Sequence, residues 1–214
     1  MNKIPLVSII IPCYQSEKTL MATLLDIFNQ TYKNLEVIAV DDGSTDKTQE
    51  ILSNFKDKLL IIKQKNSGAA VARNRGFDIS KGEFILFCDS DVRLKNDMVE
   101  KMANTLQSNP DKAYCYSNFR FGVHTFDLFP FNGEKLLKQN YISTMSLIRR
   151  SKFIYFDENL KRFQDWDLWK RMYKKGSEGI WFPERLFSAP LNTGGISKFN
   201  LTNIIKLLIN KFKK

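Results

Sequence analysis

The chain has 214 residues, 43% of them hydrophobic and 17 of them Phe, which is enough to bury one substantial core and excludes intrinsic disorder, a collagen-like repeat and a disulfide miniprotein. The formal charge is +10, but residues 198–214 carry five lysines and no acid, so half of the excess belongs to the tail. Nucleic-acid binding would rest on that charge alone and is not expected. The first half alternates strand and helix signals. Val7–Ile11 is a β-branched run closed by Pro12, and Ser16 stands where a helix N-cap would precede Leu20, Leu24, Leu25 and Phe28. Glu36–Val40 predicts a second strand ending in Asp41-Asp42-Gly43-Ser44. Asp46 and Gln49 have capping-box spacing before a helix carrying Ile51, Leu52 and Phe55. Leu59–Ile62 reads as a strand, Ala69–Ile79 as a helix stopped by Gly82, and Phe84–Phe87 as a strand running into Cys88-Asp89-Ser90-Asp91. Asn96 is placed to cap a helix with Val99, Met102 and Leu106.

Strand and helix in alternation predict an α/β domain with a mostly parallel central sheet flanked by helices. Ligands of such sheets bind at the carboxyl ends of the strands, and both acidic turns fall there. The second half is less regular. Ala113–Phe121, His124–Phe131 and Tyr141–Ile148 are strand candidates, and Asp165–Tyr173 a helix with Leu168, Trp169 and Met172 on one side. One domain over 1–197 is expected, followed by a basic amphipathic helix over 198–214. There Leu201, Ile204, Ile205, Leu208 and Phe212 share one face. That helix either lies on an anionic membrane or packs on its own domain with its lysines in water. Cys13, Cys88 and Cys115 form no CxxC pair and read as buried thiols of a reducing compartment. With no apolar leader and no stretch long enough to span a bilayer, a cytosolic protein is expected, with the tail as a peripheral contact to the inner face of the membrane.

Asp89-Ser90-Asp91 places two carboxylates one residue apart on a turn, an arrangement that a hard divalent cation relieves. Asp41 and Asp42 repeat it one strand earlier, where they also have the composition of residues that only shape a turn. Asn66-Ser67-Gly68 opens a helix with Arg73 and Arg75, suited to a diphosphate or, equally, a solvated surface helix. Asp165 stands at a helix start beside Trp166, where an apolar wall favours a general base and where Asp165 would equally serve as a cap. His124 is the only histidine, so a Ser-His-Asp triad or a multi-histidine zinc site is not expected.

In order, Val7 to Tyr14, Val40 to Asp46, Asn66 to Gly76, Asp89-Ser90-Asp91 and Gln164 to Leu168 resemble the motifs of the family 2 glycosyltransferases of GT-A fold. The resemblance implies an inverting transfer from a nucleoside-diphosphate sugar, usually a UDP-sugar, to a hydroxyl of a glycan or lipid-linked acceptor. A bacterial surface-glycan precursor is the expected acceptor. It implies a nucleotide-sugar half over 1–97 and an acceptor half over 98–197. Pro12, Tyr14, Glu17, Asp41 and Asp42 would line the nucleoside pocket. Gly68 and Arg73 would support the nucleotide, Asp89 and Ser90 would hold the ribose or donor sugar, and Asp91 would bind Mn²⁺ or Mg²⁺. Asp165 would be the base and Trp166 an acceptor contact. Three positions depart from the family: Gln15 stands for the common Asn, Gln164 for the usual Glu, and Asn192 for the His of an Arg-x-His, where it would offer the metal a carbonyl. Those losses motivate a second reading, a silent nucleotide-sugar-binding module that works with a partner. A nucleotidyltransferase of related fold would need a glycine-rich loop after the first strand, and residues 12–16 contain no glycine.

Overall fold

A computed structural model describes residues 4–190. Within it nine strands form one sheet in the order β3-β2-β1-β4-β8-β6-β9-β5, with β7 appended to β6. The strands are β1 (Val7–Cys13), β2 (Leu35–Asp41), β3 (Leu60–Lys63), β4 (Phe84–Phe87), β5 (Arg93–Leu94), β6 (Tyr114–Phe121), β7 (His124–Phe126), β8 (Leu147–Arg149) and β9 (Gly179–Ala189). The helices are α1 (Leu20–Phe28), α2 (Thr48–Ser53), α3 (Ala69–Ile79), α4 (Met98–Ser108), α5 (Gly133–Lys138) and α6 (Gln164–Lys174). The β1–β2, β1–β4, β2–β3 and β6–β9 pairings are parallel and carry most of the register; β8 runs antiparallel between β4 and β6 and joins the two halves of the sheet. Apolar side chains cover both faces. Ile9, Ile11 and Leu86 belong to one core with α1 and α4, and Ile10, Ile38 and Phe87 to a second with α3 and α6.

The expected elements of the first half are present with small differences. β1 continues through Pro12 to Cys13 because its partner β4 is paired only as far as Ile10. Ile10 O accepts from Cys88 N on the β4 side, while Cys13 O accepts from Asp42 N on the β2 side. The alternation therefore turns the proline nitrogen toward the side where β4 has already diverged, and no ladder bond is lost. The two expected caps at Ser16 and Asn96 are not formed. Ser16 uses its hydroxyl elsewhere, and α4 begins at Met98 with no side-chain cap. At α2, Asp46 Oδ1 does accept from Thr48 N (3.0 Å), but Gln49 turns to Ser44 O and leaves the box half closed.

The second half departs further. Of the Tyr141–Ile148 candidate only Leu147 and Ile148 are strand, as the start of β8, and 139–146 is irregular. α5 and β9 carry no clear signal in the sequence, although β9 is the longest strand described. Asn192 and the 198–214 segment lie outside the described residues. Among the described residues no helix is long and apolar enough to cross a membrane.

Helix α3 sits close to the sheet because its inner face is small: Ala70, Ala72 and Gly76 are buried. A Cβ at Gly76 would stand 2.4 Å from Ile10 Cγ2 and 3.3 Å from Val40 Cγ2. Gly76→Ala would gain up to about 1 kcal/mol of helix propensity, but overpacking a core costs roughly 1–3 kcal/mol. The expected outcome is net destabilisation, read as a lower urea midpoint at unchanged slope; a raised midpoint would contradict the close packing.

Candidate active site

The carboxyl ends of β1, β2 and β4 share one edge, and the motif residues meet there. Asp41 closes β2 and is fully buried. Its Oδ1 accepts from Ser44 N (3.0 Å), while Oδ2 is buried without a hydrogen-bond partner. A buried carboxylate oxygen left dry is costly, so this atom is suited to receive a donor from a bound molecule. Asp42 is also buried, but its oxygens are occupied. Oδ1 accepts from Gln64 Nε2 and Ser67 N, both at 2.7 Å, and Oδ2 from Gly68 N at 2.8 Å. Asp42 therefore fixes the 64–68 loop that starts α3, and both of its oxygens receive protein donors. Gly43 and Gly68 have positive φ of 79° and 96°. At Gly43 a Cβ would also lie 2.9 Å from Asn66 N, so glycine is required for the loop to approach.

The turn after β1 lies against the same edge. Tyr14 is 52% exposed, and Pro12 is half-buried beneath it. Gln15 adopts φ of 50°, a left-handed conformation in which Asn is more usual. The longer side chain compensates by reaching the next turn: Gln15 Oε1 accepts from Thr45 N (2.9 Å) and Asp46 N (3.2 Å). Glu17 Oε2 accepts from Lys47 N (3.1 Å), which ties it to the same turn. Ser16 and Ser90 share a hydrogen bond of 2.8 Å, joining this turn to Asp89-Ser90-Asp91. Cys13 and Cys88 are buried behind these turns, and burial raises both thiols far above their ordinary range; Cys115 is likewise buried, its thiol pushed up to about 12.

Arg73 links the two halves. Only 8% exposed, its guanidinium donates through Nη2 to Asp89 Oδ1 (2.7 Å) and through Nη1 to Gln164 Oε1 (3.2 Å), and it lies over the Phe156 ring. Thr144 Oγ1 is 3.4 Å from Asp89 Oδ2. Arg75 turns away, toward Lys63 O and Gln64 Oε1, and is exposed. Gln164 and Asp165 open α6, so Arg73 carries the donor-side turn to the base candidate. Asp165 Oδ1 accepts from Trp166 N (2.8 Å) and Oδ2 from Asn140 Nδ2 (3.1 Å). Burial raises the Asp165 pKa above the ordinary carboxyl value and the Asp89 charge adds to this, while the two hydrogen bonds and Arg73 oppose it. Although the residue keeps some exposure at the rim, its carboxyl is packed among protein atoms, which is why burial dominates. Trp166 is half-buried in the second core. Its Nε1 donates to Leu136 O (2.6 Å), Phe163 meets it edge-on, and Lys170 Nζ lies 4.3 Å from its ring centroid. The sequence motifs did not contain Asn140 or Thr144, because they come from the irregular 139–146 run. His124 lies in the β6–β7 hairpin, paired with Phe121.

Asp41, Asp42 and Asp89 thus stand at the carboxyl ends of β2 and β4, and Arg73 ties Asp89 to the start of α6, where Asp165 lies. Among the described residues no three acidic, histidine or cysteine side chains converge as a complete metal site. A Mg²⁺ or Mn²⁺ ion bound with a nucleotide needs only one or two carboxylates, phosphate oxygens and water completing its shell. Asp91 is the sequence candidate for such a ligand, while the neighbouring Asp89 gives its Oδ1 to Arg73.

The family described as Glycosyl transferase family 2 matches residues 8–167. An uncharacterized glycosyltransferase of Haemophilus influenzae is 44% identical over 109 residues, covering 49% of this chain and 44% of that protein. The UDP-Glc:alpha-D-GlcNAc-diphosphoundecaprenol beta-1,3-glucosyltransferase WfaP of Escherichia coli is 32% identical over 185 residues, 80% of this chain and 71% of WfaP. S. aureus TarS 1–349 in complex with UDP-GlcNAc shares the fold, with a TM-score of 0.77 at 22% identity over 90% of this chain and 61% of that one. The chain therefore spans less than half of the Haemophilus relative and about three-fifths of the TarS chain.

The Asp165 environment predicts a stability effect. With its pKa raised in the fold, this group favours folding when protonated, and that contribution is lost as pH rises through the folded value. Asp165→Asn removes the buried charge, and the Asn140 amide can turn its oxygen toward the new NH₂ group. The variant should therefore melt higher than the parent at neutral pH, with the gap narrowing on acidification toward the ordinary carboxyl range. A gap independent of pH in thermal melts would contradict the assignment.

Proposed function

We propose that this chain, which belongs to glycosyl transferase family 2, transfers one sugar with inversion from a UDP-sugar to a hydroxyl of a glycan or lipid-linked acceptor of a bacterial surface-glycan precursor. The observation that carries the reading is the hydrogen-bonded path Asp89–Arg73–Gln164, which sets the donor-side acidic turn beside the carboxyl of Asp165. TarS was solved with UDP-GlcNAc and WfaP is named for UDP-Glc and a diphosphoundecaprenol-linked acceptor; these support the donor class and the acceptor class.

The nucleoside is placed against Pro12, Tyr14 and the unpartnered Oδ2 of Asp41, which accepts an N–H of the base. Glu17 and Asp42 act one step removed, by holding the turn and the loop that flank it. Gly68 offers the start of α3 to the donor, and Ser90 and Asp89 border the sugar. Asp91, with Asp89 beside it, would hold a divalent cation, which would supply Lewis-acid stabilisation of the leaving diphosphate. Asn192 remains a further candidate oxygen ligand from sequence. Asp165 takes the proton of the acceptor hydroxyl as that oxygen bonds to the anomeric carbon. The bond from that carbon to the diphosphate oxygen breaks on the opposite face, and UDP departs with the electron pair. A carboxyl raised by burial is a stronger base than one in water, and Trp166 forms part of the wall that buries it.

Asp165→Asn should lower transfer by at least about a hundredfold, the lower range for loss of a general base, while UDP still binds in calorimetry. Asp91→Ala should weaken donor turnover and its dependence on Mn²⁺ or Mg²⁺. The assay is UDP release from a panel of UDP-sugars. UDP binding without turnover of any donor by the parent would favour the silent binding module. The sequence of 198–214 also supports peripheral membrane contact. Deleting it should reduce binding to vesicles of phosphatidylglycerol and leave UDP affinity unchanged; equal binding by both forms would contradict the contact.

A further inference from the structure

The base candidate is held by a residue outside all of the motifs. Asn140 lies between α5 and β8, and its Nδ2 donates to Asp165 Oδ2 at 3.1 Å. Its own Oδ1 is buried and has no hydrogen-bond partner. The orientation of the amide follows from the carboxylate, which has only acceptor oxygens when ionised and must meet an N–H. Once the nitrogen is committed to Asp165, the oxygen is committed to the other side, where the fold supplies no donor. Neighbouring polar groups are already engaged: Trp169 Nε1 donates to Ile142 O, and Tyr141 Oη to Asn132 O. A buried acceptor left dry beside a base calls for a donor from outside the chain.

We infer that Asn140 is a positioning residue for the transfer, its N–H fixing Asp165 and its carbonyl receiving a hydroxyl hydrogen of the acceptor sugar. The inference rests on the proposed transferase reading. The base and the amide carbonyl beside it suit two neighbouring hydroxyls. One is deprotonated by Asp165, and the next along the ring donates to Asn140. The acceptor class is therefore a sugar with a free hydroxyl beside the one that reacts. The other charged groups facing Asp165 are Arg73 from α3 and Asp89 after β4, while Asp167 on its own helix is paired with Arg171 at 2.6 Å. Removing the Asn140 N–H deletes one of the groups that favour the ionised base and leaves burial in place.

The test uses the full chain with UDP-glucose as donor and octyl N-acetylglucosaminide, or its deoxy analogue lacking the adjacent hydroxyl, as acceptor. Asn140→Ala should lower kcat/KM for the acceptor at least about tenfold, the scale of a lost hydrogen bond to a charged group. It should also move the acid limb of the pH profile upward and leave the calorimetric Kd for UDP unchanged. The deoxy acceptor should react more slowly than the full acceptor with the parent, and that difference should largely disappear in Asn140→Ala, which already lacks the carbonyl, while the loss of the Asp165 contact slows both acceptors alike. Asn140→Ser retains a small polar group and carries the same comparison if the alanine variant fails to fold. An unchanged acid limb with unchanged acceptor kinetics, or a loss that follows UDP affinity or melting temperature alone, would overturn the inference. Asp165→Asn separates the two levels. If that variant keeps transfer, the assignment of the base fails; if it loses transfer while the Asn140 variants keep it, only the present inference fails.

Discussion

The edge-on geometry depends on one nearly buried guanidinium. Arg73 reaches from α3 to Asp89 on the donor side and Gln164 on the acceptor side, so a single side chain sets the spacing between two turns that are 75 residues apart in sequence. Burying a charge is unfavourable unless it is paired, and removing one partner of such a pair costs more than the pair contributes. Asp89 is more exposed than Arg73, so solvent screens part of this interaction. What the pair gives is therefore position more than stability. The neutral Gln164 leaves the arginine with one formal counter-charge among its direct contacts, and its remaining positive field falls on Asp165.

The same edge shows why its carboxylates differ in duty. Asp41 and Asp42 are adjacent in sequence, yet Asp41 has an oxygen with no partner while both oxygens of Asp42 already receive protein donors. Asp42 receives three donors from the 64–68 loop and acts as scaffold, and the positive φ of Gly43 and Gly68 lets that loop come close enough to donate. Asp165 differs again: packing against protein atoms raises it, and two donors with Arg73 hold it back. Residue type is constant across the three, and environment assigns the role.

The first half of the fold was legible because its strands are short apolar runs bounded by acidic or glycine turns, and its helices carry regular apolar spacing. α3 and β4 fall on the expected residues, 69–79 and 84–87. Caps were read less well, since Ser16 spends its hydroxyl on Ser90 and Tyr14. The Tyr141–Ile148 run resembles a strand by composition, but only its last two residues join β8 and the rest takes an irregular path to the site, while α5 is too short for periodicity to register. β9 mixes charge with aromatics and contains Pro183, a pattern that argues against a strand until its pairing with β6 is seen. The motif residues were legible from their placement at strand ends. Asn140 and Thr144 were not, because their contacts depend on a loop path that no local rule encodes.

Three cysteine thiols lie in the interior, and Cys13 and Cys88 sit directly behind the turns that border the cleft. Burial keeps them protonated, and a protonated thiol is a poor nucleophile toward peroxide, disulfides or alkylating reagents. The three thiols therefore act as packing groups of the interior, and what they contribute as free cysteines is volume rather than reactivity at the cleft.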